Sequence, residues 1–367
     1  MWLKNITLLN FKNYSSAEIQ FSKTVNAFVG YNGAGKTNLL DAIHYLCLCK
    51  SYFNPIDSQQ IKTNEDLFLV QGDFDRNNKN EKITCGLKRN QKKQFKRNKK
   101  DYDKLANHIG LFPLVMISPY DVNLIMDGSE ERRKFIDNVI SQTDSSYLDE
   151  LIVYNKHLLN RNALLKQVAV TRNLDVALLQ ILDGQLIASG IVIFEKRKQF
   201  LAEFIPLFNQ HYNYISDNAE QVSLEYQSQL NSDSFETLLT QAIEKDRILE
   251  RTTVGIHKDE LLFVIGDMPL KKFGSQGQQK SFLIALKLAQ YSYLQKYKSF
   301  KPLLLLDDVF DKLDDLRVKK LMQMVSHHDF GQIFITDTGK ERVSSIFKEI
   351  NVDVSLFEVE NGAIANA

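Results

Sequence analysis

The stretch Gly30-Tyr31-Asn32-Gly33-Ala34-Gly35-Lys36-Thr37-Asn38 carries the most specific chemistry in the chain. Through Thr37 it matches G-x-x-x-x-G-K-[ST] without exception. Such glycines let backbone N–H groups curl around a polyphosphate, and the helix that follows turns its positive end to the same anion. In this pattern Lys36 neutralises charge on the outer phosphates and the Thr37 hydroxyl is placed for Mg²⁺. Tyr31, Asn32, Ala34 and Asn38 complete the expected nucleotide contacts. A loop of this kind needs an acid at the tip of a neighbouring strand, and Leu303–Leu306 followed by Asp307-Asp308 supplies it. Four leucines in a row suit a parallel strand buried on both faces. Asp307 takes the metal role. Asp308 sits where it could polarise a water attacking the terminal phosphate, so Lys36 and Asp308 are the candidate catalytic residues.

A second cradle lies well over half the chain further on. Ser275-Gln276-Gly277-Gln278 opens a long helix pattern and could cap a terminal phosphate through a hydroxyl, a backbone N–H and the helix dipole. Were both cradles to close on one nucleotide in one subunit, the site would be hard to load. The pair makes sense if the second closes on the nucleotide of another copy, which predicts an ATP-dependent homodimer.

The elements that must position these residues follow from periodicity. Two short strands around a turn begin the chain, and a buried strand, "TVNAFVG", leads into the loop. Leu39, Leu40, Ile43 and Leu46 then fall at helical spacing. Alternating runs from about 66 to 100 predict antiparallel strands. "LFPLVMISP" reads as another buried strand, and the texture then stays helical from about 130 to 250. Strands return at "DELLFVIGDMPLKKF", with a hairpin turn at Gly266-Asp267, and again at "PLLLLDD" and "GQIFITDT". This order predicts an α/β P-loop head split by its own insertion. Residues 1–128 and 251–367 would form the head, including an antiparallel β subdomain, and 129–250 a helical insertion, either an arm or a plain helical subdomain with no special projection.

Composition sets the remaining bounds. The chain has 367 residues, enough for two domains or one large domain with an insertion, and its 44% hydrophobic and 25% charged residues are ordinary for a globular protein. No uninterrupted run of about 18 apolar residues appears, so no bilayer span is expected. The N-terminus lacks a secretory h-region. Cys47, Cys49 and Cys85 make no metal spacing and read as core thiols in a reducing cytoplasm. A net charge of +1 leaves any nucleic-acid contact to a local patch. The strongest is "KRNQKKQFKRNKK", in which Lys92, Lys93, Lys96, Arg97, Lys99 and Lys100 are candidate DNA-backbone contacts. The alternative is a solvated hairpin kept soluble by its lysines. Arg132, Arg133 and Arg161 are further candidates, with helix-surface ion pairing as their other use.

The sequence resembles the RecF family of bacterial recombination mediators, within the ABC-type ATPases, from end to end. "SQGQ" is similar to the superfamily's "LSGGQ" signature. "NFKNY" is similar to the N-terminal motif, with Lys12 where arginine is usual. "PYDVNLIMDGSEERRKFID" and "YNKHLLNRNALLK" resemble the central segments. "TVGIHKDEL" resembles T-x-x-G-P-H-R-D with Ile256 and Lys258 substituted, and "LLLLDDVFDKLD" the Walker B and D-loop stretch. The resemblance implies an ABC-type head with ATP and Mg²⁺ as cofactors. It implies ATP contacts from Lys12 and Gly30 to Asn38, a trans contact from Ser275, Gln276, Gly277 and Gln278, and a dimer contact from Asp314. Asp308 stands where many related ATPases have the longer glutamate, which predicts slow hydrolysis. The resemblance further implies binding of double-stranded and gapped duplex DNA, and cooperation with RecO and RecR in loading RecA.

Rival readings fit less well. A transporter subunit has its signature much closer to the P-loop, and a chromosome-organising SMC protein needs far longer heptad arms. "NKNE" at Asn78–Glu81 fails the guanine-reading N-K-x-D, and an overcoming-lysogenisation-type ATPase would be expected to add a C-terminal nuclease domain. Another ABC- or SMC-like ATPase of DNA processing or chromosome maintenance is the alternative.

Overall fold

The structure is a computed structural model of the chain and describes every residue except 219, 310–314, 328 and 367. It divides into two compact units, residues 1–121 with 280–367, and residues 122–279.

The first unit is built from two sheets. A six-stranded antiparallel sheet has the order β2-β1-β4-β5-β6-β7, from Trp2–Phe11 (β1), Tyr14–Gln20 (β2), Leu67–Arg76 (β4), Lys79–Lys88 (β5), Gln94–Arg97 (β6) and Lys100–Asp101 (β7). Its inner face is apolar because buried and open residues alternate along β4 and β5. The second sheet has the order β15-β14-β3-β13-β12-β8. Its strands are Val25–Val29 (β3), Leu114–Ile117 (β8), Leu303–Leu306 (β12), Ile333–Asp337 (β13), Val354–Glu360 (β14) and Ala363–Asn366 (β15). All are parallel to their neighbours except β15. Every residue of β3, β8, β12 and β13 is buried, as a covered parallel sheet requires.

Helix α1 (Lys36–Leu48) belongs to the core that the two sheets share and is buried on nearly all sides. Phe21 meets Phe334 edge to face at 5.0 Å, and Phe28 stacks on Phe357 at 5.3 Å. The buried amide of Gln332 joins the sheets by accepting from Leu3 N–H at 2.7 Å and donating to the carbonyls of Leu3 and Ser22.

The second unit holds α2 (Asn123–Met126), α3 (Ser129–Thr143), α4 (Ser145–Thr171), α5 (Val176–Ser216), α6 (Phe235–Leu249) and α7 (Leu270–Phe273). It also has a small antiparallel sheet, ordered β11-β10-β9, from Val222–Gln227 (β9), Glu260–Ile265 (β10) and Met268–Pro269 (β11). The unit boundaries differ from those expected at 128/129 and 250/251. Strand β9 interrupts the interval expected to be helical, and its pairing with β10 holds the segment after 251 in the second unit. The second boundary falls inside α8 (Gln276–Tyr297). Helices α9 (Asp315–Ser326) and α10 (Lys340–Glu349) flank β13 in the chain.

Two buried guanidiniums organise the second unit. Arg197 donates to Asp137, to Asp259 at 2.8 Å and to the Ile256 carbonyl, tying α3 and α5 to the turn before β10. Arg161, fully buried, pairs with Asp183 and Asp246, each at 2.6 Å. Arg161 is therefore a core residue and not a DNA contact. Arg132 makes a two-pronged pair with Glu260, and Arg133 donates to the Asp259 carbonyl. Among the described residues α5 is the one helix long and apolar enough to cross a membrane by length and composition, with a window of mean hydropathy 1.8. Asp183, Gln180 and Gln185 interrupt its apolar residues, and its inner side, including Leu179, Leu186 and Phe204, is buried.

Three histidines, His44 and His108 buried and His257 partly buried, each have their pKa lowered to about 4, chiefly by desolvation. They are neutral in the folded protein and charge in the unfolded chain near 6.5, so their contribution to stability is complete above 6.5 and is lost as pH falls toward 4. Replacing His108 with Gln should reduce the slope of unfolding free energy against pH in that window by up to one proton. An unchanged slope in denaturant titrations would contradict the neutral assignment.

Candidate nucleotide and metal site

The loop between β3 and α1 is shaped by backbone conformations that side chains disfavour. Gly30, Gly33 and Gly35 have φ of 153°, 83° and 121°. At Gly30 a Cβ would come within 2.2 Å of the Val359 carbonyl oxygen, so only glycine lets the loop pass β14. The loop is braced by the N-terminal motif. Asn13 donates to the Ala34 carbonyl at 3.0 Å, Tyr14 to the Gly35 carbonyl at 3.0 Å, and Asn38 to the Asn13 side-chain oxygen at 2.8 Å. Lys36 is almost fully buried and folds over the loop, donating to the carbonyls of Gly30 and Tyr31 at 2.7 and 3.0 Å. Tyr31 is 86% exposed.

The parallel register places Asp307 at the end of β12, next to the start of α1. Thr37 donates to Asp307 Oδ1 at 2.8 Å. Two oxygens on adjacent corners of an octahedron with bonds of ~2.0–2.1 Å stand about 2.9 Å apart, so this pair fits Mg²⁺. No group of three or more His, Cys, Asp or Glu suited to a metal occurs among the described residues, so phosphate and water oxygens would complete the shell. Thr336, at the end of β13, donates to the same Asp307 oxygen at 2.9 Å, and Ser118 lies 3.5 Å from the other. Burial pushes the Asp307 carboxyl above its ordinary range; the hydroxyl donors oppose this and the neighbouring Asp308 charge adds to it.

The chain has matches throughout its length. The family model for the RecF/RecN/SMC N terminal domain covers residues 2–364. The DNA replication and repair protein RecF of Flavobacterium johnsoniae is 52% identical, over 98% of this chain and 100% of its own. That of Parabacteroides distasonis is 50% identical, over 99% of both. The chain belongs to the RecF family. It is thus a member of a family of DNA replication and repair proteins with an ABC-type ATPase head. A solved structure of the recombination mediator protein RecF with ATP, in the RecFOR pathway, superposes with a TM-score of 0.91 at 30% identity, covering 100% of this chain and 97% of that one. A Pyrococcus furiosus Smc head, 17% identical with a TM-score of 0.57, shares the fold.

Other expected contacts of a RecF site are placed less simply. Lys12, in a left-handed conformation, pairs with buried Asp41 of α1 at 2.6 Å, so its ammonium is held by the protein itself. Ser275 and Gln278 form a reciprocal capping pair, in which Ser275 Oγ accepts from Gln278 N–H and Gln278 Oε1 accepts from Ser275 N–H. The Gln278 amide also donates to Glu220. Ser275 and Gln276 are exposed, and the serine proton is left for a further acceptor. Asp314 lies outside the described residues.

The basic run separates into two kinds of residue. Lys93 is turned inward, paired with Asp57 at 2.8 Å and donating to the Cys49 carbonyl at 2.6 Å. Arg97 is clamped on Glu81 and Lys96 lies 3.7 Å from Asp101. Lys92, Lys99 and Lys100 are exposed and form no ion pair among the described residues. Asn98 and Lys99 are both left-handed, the geometry of a tight hairpin turn that lifts Lys99 to its tip. Sequence reasoning missed the bracing roles of Asn13 and Tyr14. Their neighbourhood in "NFKNY" was visible, but not that this turn reaches the P-loop.

Gly30→Ala should cost about 3 kcal/mol of stability, because the methyl meets backbone, whereas Gly33→Ala should cost about 1, because only its φ is strained. Denaturant unfolding of the two variants checks the order, and equal losses would rule out the contact with β14.

Proposed function

We propose that this protein is an ATP-dependent DNA-binding member of recombinational repair, in which ATP closes a homodimer and slow hydrolysis reopens it. The observation that carries the reading is the 2.8 Å contact between Thr37 and Asp307, which joins the P-loop helix to the acid-bearing strand. In this reading the backbone of Gly30 to Asn38 wraps the phosphates. Lys36 moves from the loop carbonyls to the outer phosphate oxygens. Thr37 and Asp307 would hold Mg²⁺, which would neutralise phosphate charge. Asp308 orients the attacking water and takes up its proton. The Ser275 to Gln278 stretch, with Ser275 and Gln276 exposed and its backbone N–H groups opening α8, would cap the terminal phosphate held by the partner copy, with Asp314 as a contact between copies. The family reading adds Lys12, which would have to leave Asp41 to reach the nucleotide.

Lys92, Lys99 and Lys100 are the DNA-backbone contacts best supported by their exposure, with Lys96 beside them, whereas Lys93 is held by Asp57 and the Cys49 carbonyl and Arg97 by Glu81. Duplex DNA beside a single-stranded gap is the substrate that the family reading favours. Cooperation with RecO and RecR in RecA loading, in the cytoplasm, completes the proposal.

Solution mass without nucleotide, with ADP, and with ATP plus Mg²⁺ tests the switch. The wild-type chain should double in mass only with ATP, Lys36→Ala should neither bind ATP nor dimerise, and Ser275→Arg should bind ATP as a monomer. A Ser275→Arg variant that dimerises normally would refute capping in trans. Separately, exchanging Lys92, Lys99 and Lys100 for Glu should weaken duplex DNA binding and flatten its salt dependence while ATP binding persists. Unchanged DNA affinity returns the hairpin to a solvated surface.

A further inference from the structure

The end of β13 carries an unusual residue for its place. Thr336 is fully buried in a strand whose preceding residues, Ile333, Phe334 and Ile335, are apolar. A buried hydroxyl is costly there unless it is bonded. Its bonds go to the two acids at the tip of the neighbouring strand. The β12–β13 register pairs Leu306 with Ile335, so the next residue on each strand brings Asp307 and Thr336 side by side. Thr336 Oγ1 accepts the backbone N–H of Asp308 at 2.9 Å and donates to Asp307 Oδ1 at 2.9 Å. Asp308 Oδ1 lies at 3.4 Å from the same hydroxyl. Asp308 has a φ of 46°, a left-handed conformation that costs a side-chain-bearing residue stability unless its surroundings enforce it.

We propose that Thr336 is a positioning residue for Asp308: its one hydroxyl pins the left-handed turn that carries the reacting carboxylate, using Asp307 as its own anchor. A hydroxyl has one proton and can accept a second hydrogen bond. Giving the proton to Asp307 leaves the oxygen lone pairs facing the Asp308 N–H, so the two acids are held in a fixed relation by one side chain. Valine has the same shape and keeps the packing, but can make neither bond. Serine keeps both. The inference deepens the hydrolytic reading of Asp308 and rests on it for its catalytic consequence. Its geometric content, that the hydroxyl holds the Asp308 amide, stands apart from turnover.

The experiment compares Thr336→Val and Thr336→Ser in the full chain. Without nucleotide, hydrogen exchange at the Asp308 amide should speed up at least ~10-fold in the valine variant and stay near wild type in the serine variant. With ATP and Mg²⁺, the valine variant should bind ATP within about threefold of wild type and still dimerise, but lose at least ~10-fold in turnover, and serine should restore most of it. Unchanged amide exchange in the valine variant overturns the proposal. Equal losses of turnover in both variants overturn it too, because a variant that keeps the hydroxyl would then do no better than one that lacks it. If the wild-type chain binds ATP without turning it over, the hydrolytic reading fails, while faster exchange in the valine variant still supports the positioning of Asp308.

Discussion

The buried carboxylate of Asp307 is the constraint on which the head depends. One side chain, almost without solvent, receives hydroxyl donors from the start of α1 and the end of β13. A buried charge without partners is untenable, so the elements that bring those hydroxyls must close around it. Closure brings the P-loop, the acid-bearing strand and the neighbouring strand tip into one cluster. The antiparallel sheet contributes from behind, through Asn13 and Tyr14, which hold the loop carbonyls.

A second set of buried charges extends this cluster through the head. Asp41 on α1 pairs with Lys12 and accepts from Ser51 and from the Tyr52 amide. The Tyr52 hydroxyl and Lys287 of α8 both reach Asp121, in the turn after β8. Ser118, at the start of that turn, lies beside Asp307. Removing one partner from a buried pair of this kind typically costs about 3–5 kcal/mol. This chain of pairs runs from α1 to Lys287, in the part of α8 that belongs to the first unit.

Much of the site was legible because its chemistry is local. The P-loop is one uninterrupted pattern of backbone conformations followed by a helix, and a short-range pattern survives reading in one dimension. The four leucines before Asp307 announce a strand covered on both faces for the same reason. The basic hairpin was legible only as composition. Which lysines face water depends on Asp57 and Glu81, acids distant in sequence that claim Lys93 and Arg97. Strand β9 carries the strand alternation of apolar and polar residues in "VSLEYQ", but it is short and sits between long helical runs that mask it, and its pairing with β10 brings it out.

The sequence by itself determined the family, the α/β class, the phosphate loop and the identity of its acids, because each is written in contiguous residues whose types leave few alternatives. The tertiary structure alone decided what each charge is for. It assigned Lys12 to Asp41, Arg161 to a buried core and Thr336 to the gap between two carboxylates. The reason is physical: a charged or hydroxyl side chain acquires its role from the partner that burial forces on it, and those partners come from strands and helices far apart in the chain.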